Sequence, residues 1–110
     1  PEVVVKAGAV VKDSIIMGGT VIEEGCVIDR CIIDENCKVA KNVQMGMGEN
    51  IPNETKPNIY NTGITVLGAN TSVPEGVVIG KNCVLYGKTA AEDYPGGALE
   101  SGKSVIREGI

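Results

Sequence analysis

The stretch VKDSIIMGGTVIEEGCV (residues 11–27), laid over IDRCIIDENCKVAKNVQ (residues 28–44), decides the fold. Every aliphatic slot superposes: Val11 on Ile28, Ile16 on Ile33, Ile22 on Val39. The repeat of 17 residues divides into one step of five and two of six. Working outward, the slots begin at Val5, run through Val11, Ile16, Ile22, Ile28, Ile33, Val39 and Met45, and resume at Leu67, Val73, Ile79 and Leu85. A fixed internal period outranks local propensity, because it sets the whole architecture.

A second column supports the first. Three residues after the slot, the six-residue units carry Gly8, Gly19, Gly25, Asn36, Asn42, Gly48, Asn70, Gly76 and Asn82; only Lys88 departs. Gly and Asn enter the left-handed backbone region at least cost. Each unit therefore reads as a short extended run closed by a sharp corner with positive φ. The two five-residue units hold Ser14 and Cys31 instead. A corner with one residue fewer need not use the same dihedrals.

A 5 + 6 + 6 sum closes one three-sided coil, and the chain is predicted to be all-β, a left-handed parallel β-helix of about four coils. Left-handed crossovers are rare, and dense Gly/Asn corners are how a chain makes them. The slots sort into three columns: Val11, Ile28, Met45, Ile79; then Ile16, Ile33, Leu67, Leu85; then Val5, Ile22, Val39, Val73. Four residues after each slot stands a small inward residue, such as Ala9, Thr20, Cys26, Cys37, Val43, Thr71, Val77, Cys83 or Thr89, suited to a narrow prism.

The predicted organisation is a β-helix over 1–90, a loop inserted at 46–63, and an irregular tail over 91–110. GMGENIPNETKPNIYNTG breaks the period with Pro52 and Pro57, and Leu67 resumes on the face after that of Met45. Thr89-Ala-Ala-Glu92 resembles a capping box for one helical turn. Pro95-Gly96-Gly97 ends that turn, and Ser104-Val105-Ile106 is a candidate terminal strand. Pro1-Glu2 stands directly before a slot, with no starting Met and no cap. A solenoid needs something polar over its end coil, so the chain reads as a piece of a longer protein whose other part covers that coil.

Composition narrows function. The chain has 110 residues, net charge −4, no Phe, no Trp, and three aromatics, Tyr60, Tyr86 and Tyr94. With no basic cluster, nucleic acid and anionic membrane are not expected partners. No signal peptide or apolar run of about 20 residues is present. Cys26, Cys31, Cys37 and Cys83 lack zinc spacing, and three of them fall in the small inward slot. They read as buried reduced thiols of a cytoplasmic protein.

No residue is assigned a catalytic, cofactor-binding or metal-binding role. Histidine is absent, which removes the base of the hexapeptide-repeat acyltransferases and the ligands of zinc-binding β-helices. Gly97-Ala-Leu-Glu-Ser-Gly102-Lys103-Ser104 matches the phosphate-loop pattern by letter, but lacks the strand before and helix after that the mechanism requires. Glu23-Glu24 and Asp34-Glu35 read as solvated charge beside corners. Lys12, Lys38, Lys41, Lys81 and Lys88 are candidates for a phosphorylated effector, with acids interleaved among them. The sequons at Asn53 and Asn70 carry no meaning in a cytoplasmic protein.

VKDSIIMGGTVIEEGCVIDRCIIDENCKV, the Pro/Asn-rich insert, and the return NIYNTGITVLGANTSVPEGVVIGKN together resemble the C-terminal domain of bacterial ADP-glucose pyrophosphorylase (glucose-1-phosphate adenylyltransferase), over about residues 5–85. The resemblance implies a preceding α/β catalytic domain that joins ATP and glucose 1-phosphate into ADP-glucose and pyrophosphate with Mg²⁺, for glycogen synthesis. It implies that the β-helix packs on that domain, builds a homo- or hetero-oligomer and takes part in allosteric control, with a sugar-phosphate effector as candidate ligand. The β-helix of another sugar-phosphate nucleotidyltransferase, or of an acyltransferase, is the alternative. Plant relatives carry an activator-binding lysine just after the stretch like Ile64–Leu67. Gly68-Ala69-Asn70 stand there in this chain, so that contact is not carried over.

Overall fold

Strands of two or three residues have no stability alone and hold only by stacking. The computed structural model, which describes residues 2–107, stacks them in three parallel sheets. β1 (Val4–Val5), β2 (Val10–Lys12) and β3 (Ile15–Ile16) make the first coil; β4 (Val21–Ile22), β5 (Val27–Asp29) and β6 (Cys31–Ile33) the second. β7 (Lys38–Val39), β8 (Gln44–Met45) and β9 (Thr65–Leu67) follow, then β10 (Ser72–Val73), β11 (Val78–Ile79) and β12 (Val84–Tyr86). β13 (Ala98–Leu99) and β14 (Ser104–Ile106) close the stack. Face A runs β1-β4-β7-β10, face B β13-β11-β8-β5-β2, and face C β14-β12-β9-β6-β3. This is a three-sided parallel β-helix.

The register matches the three predicted columns. Val5 pairs with Ile22, Ile22 with Val39 and Val39 with Val73. Val11–Ile28–Met45–Ile79 stack on face B, and Ile16–Ile33–Leu67–Leu85 on face C. From Ile22 to Leu85 these slots form one buried core. The inward Cys26, Cys37, Val43 and Cys83 join it, each fully buried.

The corners explain why the coils superpose. Gly8, Gly19, Gly25, Asn36, Asn42, Gly48, Asn70, Gly76 and Asn82 all have positive φ, from 57° at Asn82 to 94° at Gly48. A Cβ added to Gly19 would collide with the Asn36 amide oxygen one coil on, and one at Gly25 with that of Asn42. Glycine on one coil thus leaves room for the asparagine above it. The five-residue units turn with positive φ as well, one residue earlier, at Asp13 (50°) and Arg30 (53°). At the exceptional unit, Gly87 (96°) makes the turn in place of Lys88.

The tail departs from expectation. Rather than leaving the helix, it adds rungs: Leu99 stacks on Ile79, and Val105 on Leu85. Faces B and C are therefore five strands deep, one layer beyond the predicted four. The helical turn is a 3₁₀ turn over Ala91–Asp93 with Ala90 as N-cap. The expected Thr89–Glu92 box does not form. The Thr89 hydroxyl instead donates to the Ser72 carbonyl at 2.6 Å, and the Ala90 N–H donates to Asp93 Oδ2 at 2.8 Å. Thr89 is drawn inward by the stack, and burial outweighs a local cap. Tyr94, 2% exposed, joins the core and shares a hydrogen bond of 2.7 Å with the Thr89 hydroxyl. Pro1 and residues 108–110, the first residue of the predicted β-helix and the end of the expected tail, lie outside the described residues.

Replacing Gly25 by Val is expected to cost at least about 1–2 kcal/mol for the left-handed backbone alone, with the Asn42 collision added. Replacing the neighbouring exposed Glu24 by Val should stay within about 0.5 kcal/mol. Denaturant titration of both variants checks this; coincident midpoints would rule out the corner account.

Candidate interaction surfaces

Inward residues alternate with outward ones, so each face presents a column at strand spacing. Face A shows Val4, Val21, Lys38 and Ser72, with Lys88 bridged to Ser72. Face B shows Val10, Val27, Gln44, Val78 and Ala98. Face C shows Ile15, Ile32, Val66, Val84 and Ser104. Face A holds a shallow concavity of about 620 Å³ lined by Lys6, Glu23, Lys38 and Ser72 among others.

The five lysines proposed for an effector do not converge. Lys12 ends β2 on face B. Lys41 pairs with Glu24 at 3.4 Å, and Lys81 Nζ donates to the Gly46 carbonyl at 2.9 Å. Only Lys38 and Lys88 share a face, on either side of Ser72. Of the acidic pairs, Glu23 meets Lys6 at 3.2 Å, and Asp34 Oδ1 accepts the Glu35 N–H at 2.6 Å. These are solvent-side contacts of modest worth.

The inserted loop is built on two asparagines whose side-chain roles sequence reasoning missed. Asn82 turns a corner and is fully buried. Its amide donates to Asn50 Oδ1 (2.6 Å) and the Ile51 carbonyl (2.8 Å), while its Oδ1 accepts the Gly63 N–H (2.7 Å). Asn53, 1% exposed, donates to the Asn82 carbonyl (2.9 Å) and Ser104 Oγ (3.0 Å). Its oxygen accepts the Thr55 and Lys56 N–H groups. The loop is thus latched to the helix by satisfied buried amides, and the Asn53 sequon points inward. An Asn in a Pro-rich insert and another at a predicted corner were the available signals, and they do not distinguish a latch from plain turns.

Gly97–Ser104 resembles a phosphate loop only as a string. Ala98–Leu99 is β13, Gly102 (φ 83°) is a corner, and Ser104 begins β14. A Cβ at Gly102 would meet the Pro52 carbonyl oxygen at 2.6 Å, so the latched loop occupies the space a phosphate would need.

The four cysteines are free and buried. Their registered neighbours are not cysteines: Cys31 pairs with Thr65, and the Cys37 and Cys83 N–H groups donate to the hydroxyls of Thr20 and Thr65. Burial pushes all four thiols up, Cys31 from 9.0 to about 12. Among the described residues no group of three His, Cys, Asp or Glu is placed to hold a metal ion, and no helix is long and apolar enough to cross a membrane.

These features define a hexapeptide-repeat β-helix domain. Residues 1–98 match the family model of the GMPPB C-terminal domain, and the chain belongs to that family. Among curated proteins, the glucose-1-phosphate adenylyltransferase of Acetivibrio thermocellus is 51% identical over 109 residues, covering 99% of this chain and 26% of the relative. That of Thermomicrobium roseum is 47% identical over 95 residues, 86% of this chain and 22% of the relative. That of Thermotoga maritima is 43% identical over 64 residues, 58% and 15% respectively. The chain corresponds to the C-terminal part of these relatives and spans about a quarter of the first one's length. No solved structure matches it significantly.

Raised thiol pKa values make a pH prediction. The buried thiols stay protonated in the fold after unfolded thiols ionise, so their contribution is full below about pH 9 and is lost as pH rises toward about 12. Tyr94, pushed by burial from 10.0 to about 12, acts in the same sense. The thermal midpoint is expected to fall across that window. Native thiols should react with an aromatic disulfide reagent only on unfolding; fast labelling at neutral pH would contradict their burial.

Proposed function

We propose that this chain is a non-catalytic module for assembly and regulation in a glucose-1-phosphate adenylyltransferase, the enzyme that makes ADP-glucose and pyrophosphate for glycogen synthesis. The carrying observation is 51% identity along 109 residues to the C-terminal part of a protein of that name. The fold supports the reading: rigid, shallow faces and charge pairs of modest worth offer surfaces for packing rather than a closed site for chemistry. Reactions at a phosphoryl group need positioned cations and a water-excluding pocket, and the scattered lysines of this chain assemble neither.

In this reading a preceding catalytic domain supplies the reaction and holds the Mg²⁺. The acidic side chains described in this chain form no cluster that fits that ion, so no step is derived through it. The chain serves a homo- or hetero-oligomer in the cytoplasm, where its four buried unpaired thiols are at home. A sugar-phosphate effector bound near Lys38 and Lys88 completes the proposal.

The isolated chain, given ATP, glucose 1-phosphate and Mg²⁺, is expected to release no pyrophosphate. Joined to the N-terminal part of the Acetivibrio thermocellus relative in place of that protein's own β-helix, it should support ADP-glucose synthesis. Turnover by the chain alone, or a folded hybrid without activity, would overturn the proposal.

A further inference from the structure

The chain has three aromatic residues, and they are not scattered. Tyr94 belongs to the core. The other two meet at one end of face C. Across β12 and β14, Val84 pairs with Ser104 and Tyr86 with Ile106, which turns four side chains outward as one patch. Outward neighbours stand about 6.6 Å apart along a strand and about 4.8 Å apart across rungs. Tyr86, 43% exposed, closes one end of the patch. Over the other end the inserted loop sets Tyr60, forming with Val84, Ser104 and Ile106 a recess of about 230 Å³.

Each ring is positioned by its surroundings. Tyr60 donates its N–H to the Lys56 carbonyl at 3.0 Å, and its own carbonyl accepts the Asn53 N–H at 2.9 Å. The latch that buries Asn53 therefore fixes Tyr60 as well. Tyr86 lies across Gly68, where an added Cβ would stand 2.7 Å from its ring. Gly68 is not among the glycines with positive φ, so backbone conformation does not call for glycine there. Space for the ring does. The polar groups nearby are neutral with one exception. Thr55 offers an exposed hydroxyl, and Ser104 Oγ accepts the Asn53 amide at 3.0 Å and keeps its own proton to donate. Lys56, also exposed, is the exception. The N–H groups of Thr55 and Lys56, which could have cradled an oxyanion, are already taken by Asn53 Oδ1 at 2.9 and 3.0 Å. A phosphate would meet one solvated ammonium without those two donors, a weak arrangement.

From this juxtaposition we propose that the Tyr60–Tyr86 end of face C binds a neutral carbohydrate, a short run of pyranose rings. A pyranose has an apolar C–H face that packs on the electron-rich face of an aromatic ring. Its rim of hydroxyls both donates and accepts. The recess is smaller than the roughly 300–1,000 Å³ that drug-sized ligands fill, and it suits one ring set against Tyr60, Val84 and Ile106. Thr55 and Ser104 stand at the rim for its hydroxyls. Ile106 joins the recess to Tyr86, where a second ring rests on the exposed tyrosine. A purely apolar ligand would leave the rim hydroxyls unused. A protein partner needs about 800 Å² and would engage the aliphatic rungs of Ile15 and Ile32 equally, whereas the rings gather at one end. The inference is independent of the assembly role given above.

Three tyrosines give three sets of ring signals, so magnetic resonance titration of the chain labelled with carbon-13 tyrosine tests this. Maltotetraose and cellotetraose are the neutral probes, and inorganic phosphate is the anionic one. With at least one tetraose the Tyr60 and Tyr86 signals should move together, half-saturating near about 1 mM, while the core Tyr94 stays still. Tyr60→Ala and Tyr86→Ala should each raise the half-saturating concentration about fivefold without altering the far-ultraviolet spectrum. Gly68→Ala, which displaces the Tyr86 ring, should act in the same direction. Lys56→Ala should leave sugar binding within about twofold, since an exposed ammonium adds little. If phosphate moves Tyr60 at lower concentration than either sugar, and Lys56→Ala abolishes that, the recess belongs to an oxyanion and the proposal falls. It also falls if neither sugar moves Tyr60 and Tyr86 at concentrations well above the millimolar range. Shifts of both tyrosines on adding the N-terminal part of the Acetivibrio thermocellus relative, with no response to sugar, give the patch to a protein and overturn the carbohydrate.

Discussion

Strand-on-strand register along the coil axis is the constraint on which the rest of the molecule depends. Each strand is two or three residues long and gains its hydrogen bonds only from the coils above and below. A slip of one residue would turn every slot side chain outward. The corners prevent this, because positive φ recurs at matching places from coil to coil. Where glycine lies beneath asparagine, as at Gly19 under Asn36, the empty side chain of one makes room for the amide of the next. Conformational freedom and close packing are thus met by the same residue.

Such a narrow prism leaves no room for unpaired polar atoms, and hydroxyls resolve this locally. Ser14, Thr20, Thr65 and Thr71 accept N–H groups from a neighbouring coil. Among the described residues no buried side-chain nitrogen or oxygen lacks a partner. The same economy admits the insert. Asn82 makes the turn and holds the loop at once, so an excursion of nearly twenty residues re-enters on the correct face without disturbing the stack. The tail finishes the molecule differently from the first coil. Tyr94 fills the core near the last inward hydroxyl, and the Arg107 guanidinium binds Asp93, holding that carboxyl below its usual range.

A scaffold organised this way presents surfaces and buries its reactive groups. Its thiols lie in the core and most of its cations are spread over separate faces, and neither supplies a positioned nucleophile or base. What distinguishes the faces is their outward columns: face A mixes charge with apolar residues, face B breaks at Gln44, and face C stays apolar. The chain belongs to the GMPPB C-terminal domain family and is similar to the C-terminal part of longer adenylyltransferases, about a quarter of the first relative's length.

Periodicity alone determined much of this protein. The twelve slots from Val5 to Leu85, their sorting into three columns and the nine Gly/Asn corners were legible, because each repeats a local rule of slot, then corner. Two further slots, Leu99 and Val105, follow that rule with Gly102 at the corner. They were hidden because Pro95-Gly96-Gly97 interrupts the count and Lys103 occupies a position that elsewhere holds a small inward residue. Only the tertiary structure decided the Asn53–Asn82 latch and the choice of Ala90 over Thr89 as the cap of the 3₁₀ turn. Those depend on which residues meet after the chain has wound, over separations that carry no period. Repetition makes a backbone path readable from one strand of text, whereas contacts between dissimilar segments exist only once the coils are stacked.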